Sequence, residues 1–446
     1  MAEKPVIAIV GRPNVGKSTF FNRLLGERTA IVQDEPGTTR DRLYGDAEWG
    51  GRRFTLVDTG GLLTGGASAA NTEVMYRQVR EQAEQAIKEA DLLVFMLDAA
   101  SGTTPADYEI ADIVRRSEKP VVLVANKADS PSREDAAVDL YSLGLGEPIA
   151  ISAYHGRGVG DLLDYIVSLL PPESEEEEPE TDAIRIAIVG RPNVGKSRLL
   201  NAILGQERSI VSDVPGTTRD PVDTELNWNG FELVLVDTAG IRRRGKVEPG
   251  IEQFSVIRSL RAIGRADVVL LLFDAVEGIT AQDEHIAGYV LDEMKGLVLV
   301  VNKWDLVEKN SNTMREYTAS IRERLQFLSW APITFISAKF SQRIPTALEA
   351  AIKVSEERKK RVPTAGLNRL LKEAVAEHQP PSRPGKWLKF LYATQADIRP
   401  PTFVFFVNDA KQVQFGYKRY LENRLRERFG FEGTPIKLLF RNRQET

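Results

Sequence analysis

The chain of 446 residues contains no cysteine and only three histidines. Without a thiol there is no disulfide scaffold, no thiolate metal site and no cysteine nucleophile. His155, His285 and His378 share no metal-ligand spacing and read as solvated or structural side chains. Long apolar runs are also missing. Nothing approaches the roughly 18 residues of a membrane span, and the opening MAEKPVIAIV lacks a basic stretch followed by a long apolar segment. The expectation is a cytoplasmic protein with no membrane partner. Its 42% apolar residues suffice for ordinary globular cores, and the length predicts about three domains.

Net charge is low at −4, but it is unevenly spread. Residues 353–446 carry 20 Lys and Arg against 10 Asp and Glu, a net of +10 that leaves −14 for the rest. A basic C-terminal segment on an acidic chain suggests a polyanionic partner.

The most informative feature is duplication. GRPNVGKS occurs as Gly11, Arg12, Pro13, Asn14, Val15, Gly16, Lys17 and Ser18, and again as Gly190, Arg191, Pro192, Asn193, Val194, Gly195, Lys196 and Ser197. Each copy follows an apolar run and precedes a helical pattern. In this strand–loop–helix setting, glycines let backbone N–H groups crowd around phosphate oxygens, the lysine reaches the β/γ phosphates and the serine hydroxyl ligates Mg²⁺. The helix N-terminus adds to the same field. PGTTRD at Pro36–Asp41 and Pro215–Asp220 shares the offset of 179 positions, as do Trp49 and Trp228, read as equivalent core or hairpin residues. So does D-T-x-G, as Asp58, Thr59, Gly60 and Gly61 and as Asp237, Thr238, Ala239 and Gly240. N-K-x-D recurs at an offset of 176, as Asn126, Lys127, Ala128 and Asp129 and as Asn302, Lys303, Trp304 and Asp305. This is tandem domain duplication.

Short apolar runs such as VIAIV, FTLVD, LLVFML and VVLVAN alternate with helical spacing, including 73–88, which predicts a parallel sheet covered on both faces. Ligands of such sheets bind at loops beyond the strands' carboxyl ends, where the repeated motifs fall. Between the copies PPESEEEEPETD reads as a flexible, self-repelling tether. The last segment reads as a helix around Gly366–His378, strands WLKFLYATQ from Trp387 and TFVFFVN from Thr402, a helix Tyr417–Phe429 and a strand PIKLLF from Pro435: a small sheet with helices on one side. The expected boundaries are 1–170 and 184–355 for the repeats, 171–183 for the linker and 356–446 for the third unit.

Asp58 and Asp237 are placed at strand ends to hold Mg²⁺ through water, and Gly61 and Gly240 to offer an N–H to a γ-phosphate. In N-K-x-D the carboxylates of Asp129 and Asp305 can accept from N1–H and the exocyclic amine of guanine, while Asn126 and Asn302 address the carbonyl edge. Adenine would leave the carboxylate unpaired at a cost of ~1–3 kcal/mol, hence GTP over ATP. Ser152 and Ala153, with Ser337 and Ala338, would close over the base from the far side. Thr39 and Thr218 sit where a mobile loop could add a hydroxyl to Mg²⁺ only when the γ-phosphate is present, which would make the site a switch. The glutamine that Ras-like proteins place after D-x-x-G is replaced by Leu62 and Ile241. An alkyl chain cannot orient water, so unaided hydrolysis is expected to be slow, and catalytically silent domains on a binding scaffold remain an alternative.

These motifs, with GIRRRGK at Gly240–Lys246 and YKRYLEN at Tyr417–Asn423, give a chain that over essentially its whole length resembles the bacterial Der (EngA) family of double-G-domain GTPases. The resemblance implies two tandem P-loop, Ras-like G domains with mainly parallel sheets and a C-terminal α+β KH-like domain. It implies GTP and GDP as ligands with Mg²⁺, and an activating K⁺ whose ligand resembles Asn14 and Asn193. It also implies a switch in late ribosome assembly, associated with the large subunit or its precursor and its rRNA through the basic domain. Covalent duplication fits a monomer. Two departures stand out. Arg198 follows the second P-loop serine, where Thr19 follows the first. The one G-x-x-G of the last segment, Gly430–Gly433, lies between a helix and a strand instead of between two helices, so it is not read as a nucleic-acid clamp. Lys386, Lys389, Lys418, Arg419 and Arg424 are the candidate rRNA contacts.

Overall fold

In the computed structural model the described residues are 4–26, 44–59, 87, 90–129, 136–171, 182–205, 209–211, 223–238, 256–381 and 387–442. The chain separates into two compact units, Met1–Pro179 with Ser255–Arg261, and Glu180–Phe254 with Ala262–Thr446.

The first unit is built on β1 (Val6–Val10), α1 (Lys17–Gly26), β2 (Tyr44–Trp49), β3 (Arg52–Asp58), β4 (Leu92–Asp98), α2 (Pro105–Arg116), β5 (Val121–Asn126), β6 (Ile149–Ala150) and α3 (Val159–Leu169). The strands order as β2-β3-β1-β4-β5-β6, parallel except for β2. All five residues of β1 and all seven of β4 are buried, which is why they read as unbroken apolar runs. Because β3 and β4 flank β1 on opposite sides, the chain leaves β1 at a topological switch point, where the loop 11–16 faces the crevice beyond the strand ends.

The second unit repeats the plan with β7 (Ile184–Val189), α4 (Lys196–Leu204), β8 (Ser209–Val211), β9 (Thr224–Trp228), β10 (Phe231–Val236), the end of α5 (Val256–Arg265, of which 256–261 belong to the first unit), β11 (Val268–Asp274), α6 (Ala281–Asp292), β12 (Gly296–Asn302), α7 (Thr313–Arg324), β13 (Ile333–Phe335) and α8 (Ile344–Lys359). Its order is β13-β12-β11-β7-β10-β9-β8. Trp228 ends β9 fully buried, while its counterpart Trp49 ends β2 half-buried and donates its indole N–H to Asp164 at 2.6 Å.

The same unit contains a third sheet. It comprises α9 (Thr364–Glu377), β14 (Phe390–Ile398), β15 (Pro401–Val407), α10 (Phe415–Phe429) and β16 (Lys437–Asn442), ordered β14-β15-β16. Leu367, Leu370, Leu371 and Ala374 of α9 and Tyr417, Leu421 and Leu425 of α10 pack with Phe403 and Phe405 in one core, as the one-sided arrangement read from the sequence requires. Element types match the sequence reading; boundaries shift. The strand expected from Trp387 begins at Phe390, because Asn408 takes over the backbone of 387–389. Its Nδ2 donates to the Trp387 carbonyl at 2.7 Å and its Oδ1 accepts from Lys389 N–H at 2.7 Å.

Candidate functional site

Close approach dictates the phosphate-loop glycines. A β-carbon on Gly11 would lie 2.2 Å from the Met96 carbonyl oxygen, and one on Gly190 would lie 2.7 Å from that of Leu272. At Gly16 (φ +97°) and Gly195 (φ +100°) it would strike the Asn126 and Asn302 amides at 2.2 and 2.3 Å. Val15 and Val194 are buried beneath the loops, and Asn14 and Asn193 take left-handed φ of 68° and 63° with exposed side chains. The Lys17 ammonium folds back onto the Gly11 and Arg12 carbonyls at 2.9 Å each, and Lys196 onto that of Arg191 at 2.7 Å. Burial pulls the Lys17 pKa below its ordinary value, against the raising effect of Asp58. A desolvated cation resting on backbone carbonyls beside a helix N-terminus is a site for an anion.

Ser18 Oγ donates to Asp58 Oδ2 at 2.6 Å, and Asp58 is buried at the end of β3. Two hard oxygens converging beside a phosphate loop fit Mg²⁺. The second copy departs from expectation here. β10 stops at Val236, so Asp237 lies one residue beyond the strand at φ 54°, its N–H donating to Asp223 Oδ1 at 2.9 Å. Asp223 in turn accepts from Arg265 at 2.6 Å.

The base-reading motif is tied to the phosphate loop in both copies. Asn126 donates through Nδ2 to the Val15 carbonyl at 2.8 Å and accepts through Oδ1 from Ala153 N–H at 2.9 Å. Asn302 repeats this with Val194 at 2.7 Å and Ala338 at 2.9 Å. These asparagines, expected to address the base edge, thus spend two of their four hydrogen-bonding sites within the protein, leaving one amide N–H and one oxygen lone pair for a ligand. Ser152 and Ser337 each donate to the motif carboxylate, Asp129 or Asp305, at 2.6 Å. Both serines therefore aim the carboxylate, a role the sequence did not reveal. Ala128 is buried, and its counterpart Trp304 packs edge-on against Tyr317 with centroids 5.0 Å apart.

Other motif side chains reach partners that the motifs did not name. Lys127 and Lys303, at φ 65° and 61°, bond Asp98 at 2.7 Å and Asp274 at 2.6 Å. Burial opposes the ionised form of these aspartates. The bonds from the lysines and from Ala100 and Val276 N–H outweigh it and hold both carboxyls below the usual range. Arg12 and Arg191 reach Asp107 and Asp283 at 3.3 Å, fully buried carboxylates that also bond Thr104 and Thr280 at the N-caps of α2 and α6. Pro13 and Pro192 lie within the loops, and Thr59 and Thr238 are buried behind them, Thr59 Oγ1 donating to the Ile9 carbonyl at 2.8 Å. Thr39, Gly60, Gly61, Leu62, Thr218, Ala239, Gly240, Ile241, Lys386 and the helical stretch 73–86 lie outside the described residues, as does most of the acidic linker.

In the third sheet, Arg424, one of the candidate rRNA contacts, is paired with Glu377 at 3.0 Å and Glu427 at 3.2 Å. Lys418 lies 5.5 Å over the Phe440 ring, whereas Lys389 and Arg419 are exposed. The G-x-x-G loop is committed to docking. Gly433 donates to the Trp330 carbonyl at 2.9 Å and accepts from Leu297 N–H at 2.7 Å, and Phe431 N–H donates to Glu357 at 2.6 Å. Glu432 pairs with Lys353 at 2.6 Å.

Two family models match the chain. One, described as a 50S ribosome-binding GTPase, covers residues 6–127 and again 185–303. The other, the C-terminal KH-domain-like region of EngA bacterial GTPase enzymes, covers 361–441. Over 445 residues the chain is 56% identical to the GTPase Der of Thermomicrobium roseum, spanning 99% of this chain and 97% of that one. With the GTPase Der of Chloroflexus aggregans it shares 56% over 443 residues, at 99% and 98% coverage. The chain belongs to the Der family of GTPases. Like its Der relatives it has two tandem G domains of the α/β class followed by a KH-like domain. No helix among the described residues of this Der-family chain is long and apolar enough to cross a membrane.

Proposed function

We propose that this GTPase acts as a switch in late assembly of the large ribosomal subunit. It would bind the pre-ribosomal particle and its rRNA through the KH-like domain, in the cytoplasm and as a monomer. The observation that carries the nucleotide half is the repetition of one bond set in both domains: phosphate-loop carbonyl to asparagine amide, asparagine to alanine N–H, serine to aspartate. Each pocket takes GTP or GDP, with guanine on Asp129 or Asp305 and the phosphates on the 11–18 or 190–197 loop. Mg²⁺ belongs on Ser18 and Asp58 in the first site and on Ser197 and Asp237 in the second, joined by Thr39 or Thr218 when triphosphate is bound. It supplies charge neutralisation between the β and γ phosphates.

K⁺ beside Asn14 and Asn193, whose exposed amides present neutral hard oxygens at each loop, offers positive charge where Leu62 and Ile241 provide no polar group. The basic segment and the ribosome-binding description of the matched family support the partner. The domain limits that fit this reading are 1–170, 184–355 and 356–446, with a tether at 171–183.

Steady-state phosphate release from GTP and ATP, in K⁺ and Na⁺ buffers, tests the enzyme. GTP turnover with strong K⁺ preference is expected, and no turnover in either buffer would favour a silent scaffold. Pelleting with large subunits in the GTP and GDP forms tests the switch: equal sedimentation in both states removes it.

A further inference from the structure

A groove of about 510 Å³ runs between α9 and the edge of β14 in the KH-like domain. Its floor is fixed by Asn368, whose amide donates to the Thr364 and Ala393 carbonyls at 2.8 Å and accepts from Ala393 N–H at 2.9 Å, leaving α9 and the strand edge bound together. At one end stands Trp387, 71% exposed. Large aromatics are rarely left so open without a binding role. Its backbone does not swing freely: Asn408 clamps residues 387–389 from both sides, and the next residue, Leu388, is buried with Val407 and Val413. The backbone that carries the indole is therefore held in place.

The chemistry of the lining selects an occupant. Lys372 and Lys389 flank the apolar surface of Val375 and Leu391, and their side chains make no ion pair among the described residues. No Asp or Glu is among the described residues that line the groove. Cations without counter-charges beside an open aromatic face match a phosphate backbone whose bases lie alongside it, and the volume falls in the roughly 300–1,000 Å³ range of pockets that enclose small-molecule-sized groups. A base paired within a duplex hides both its faces, so only an unpaired one can lie on Trp387. The G-x-x-G loop, by contrast, is taken up by its contacts with Trp330, Leu297 and Glu357.

We propose that the α9–β14 groove binds single-stranded RNA, stacking an unpaired base on Trp387 and holding its flanking phosphates with Lys372 and Lys389. The inference rests on the ribosomal reading for the source of the RNA, but not for the contact itself.

The test is fluorescence anisotropy of the full chain with a fluorescein-labelled eight-nucleotide RNA of mixed A and U, against a blunt RNA duplex of the same sequence. The single strand should bind more tightly, and Trp387→Ala should weaken it about 5- to 150-fold while Trp387→Phe retains most of the affinity. Lys389→Gln should reduce the slope of log affinity against log salt by about 0.7. Charge reversal at Lys372 gives a second readout that leaves the indole in place. Equal binding of strand and duplex, or an unchanged affinity in Trp387→Ala, overturns the proposal. So does a Trp387→Ala variant that loses large-subunit pelleting yet keeps oligonucleotide binding, because the groove would then grip protein. If the oligonucleotide needs Trp387 but no large subunit is pelleted in either nucleotide state, the groove stands and the ribosomal reading falls.

Discussion

Asn302 and Val194 lie 108 positions apart in the chain, yet the asparagine amide donates to the valine carbonyl at 2.7 Å. The bond joins the end of β12, which carries the base-reading motif, to the loop that holds phosphates. Both partners are buried, so neither can exchange the bond for water.

Asn302→Ala should leave the Val194 carbonyl and the Ala338 N–H unpaired in the interior. At about 1–3 kcal/mol for each buried orphan, the second G domain should lose roughly 2–6 kcal/mol and its guanine nucleotide affinity should fall more than tenfold. Calorimetric titration of nucleotide-free protein should then find one tight GDP equivalent instead of two. Two unaltered equivalents would show that the tie is dispensable.

At the first site the critical contact is steric. A β-carbon on Gly16 would lie 2.2 Å from the Asn126 amide, on a backbone with φ of +97°. Gly16→Ala should therefore abolish nucleotide binding at the first site while sparing the second. The same calorimetric count checks it, since GDP stoichiometry should fall to one without a change in the affinity that remains.

Asp305→Asn reverses a hydrogen-bond preference without changing shape. Ser337 holds Asp305 at 2.6 Å, and asparagine can keep that bond while offering an N–H where guanine also offers donors. Guanine affinity at the second site should drop at least tenfold and xanthine nucleotides should gain. Unchanged guanine affinity there would remove Asp305 from base recognition.

Contiguous motifs were legible in the sequence because each one is a local solution to a local problem. Lys17, Ser18 and the glycines around them sit within eight residues, and the apolar run before them announces the strand that presents them. What was not legible is the long-range use of side chains. Asn126 reads as a ligand for the base, yet half of its amide's hydrogen-bonding capacity is spent on Val15 and Ala153, which no spacing rule connects. Asp107 and Asp283 look like ordinary capping residues, and only the fold brings Arg12 and Arg191 to them. The strand expected at Trp387 failed for a similar reason: alternation suggested pairing, but Asn408, from the far end of β15, had already taken the backbone groups.

Acid sensitivity follows from Asp274. Its folded-state pKa lies below the unfolded value of 3.8 because Lys303 and backbone N–H groups favour the carboxylate despite burial. Above pH 3.8 both states are ionised and the stabilisation is fully present. As pH falls through that value the unfolded chain takes up the proton first, so stability declines until the folded carboxyl protonates as well. Asp274→Asn should lower the thermal midpoint at neutral pH, and the gap from the parent should narrow below pH 4. A gap that is constant across the acid range would show that the charge contributes nothing.

The docking of the KH-like domain on the second G domain should hinge on Gly433. Its φ is +74°, and a β-carbon would stand 2.1 Å from Cγ2 of Val354 on α8. Left-handed backbone costs an alanine about 1–2 kcal/mol and overpacking adds about 1–3 kcal/mol, so Gly433→Ala should destabilise the unit by roughly 2–5 kcal/mol. The backbone bonds of Gly433 to Trp330 and Leu297 would be strained together, because both come from the same residue. Val354→Ala removes the obstructing methyl groups, so the double variant should be more stable than the two separate losses predict. Thermal unfolding of the four members of this cycle measures the coupling, and strict additivity would show that the clash is relieved elsewhere.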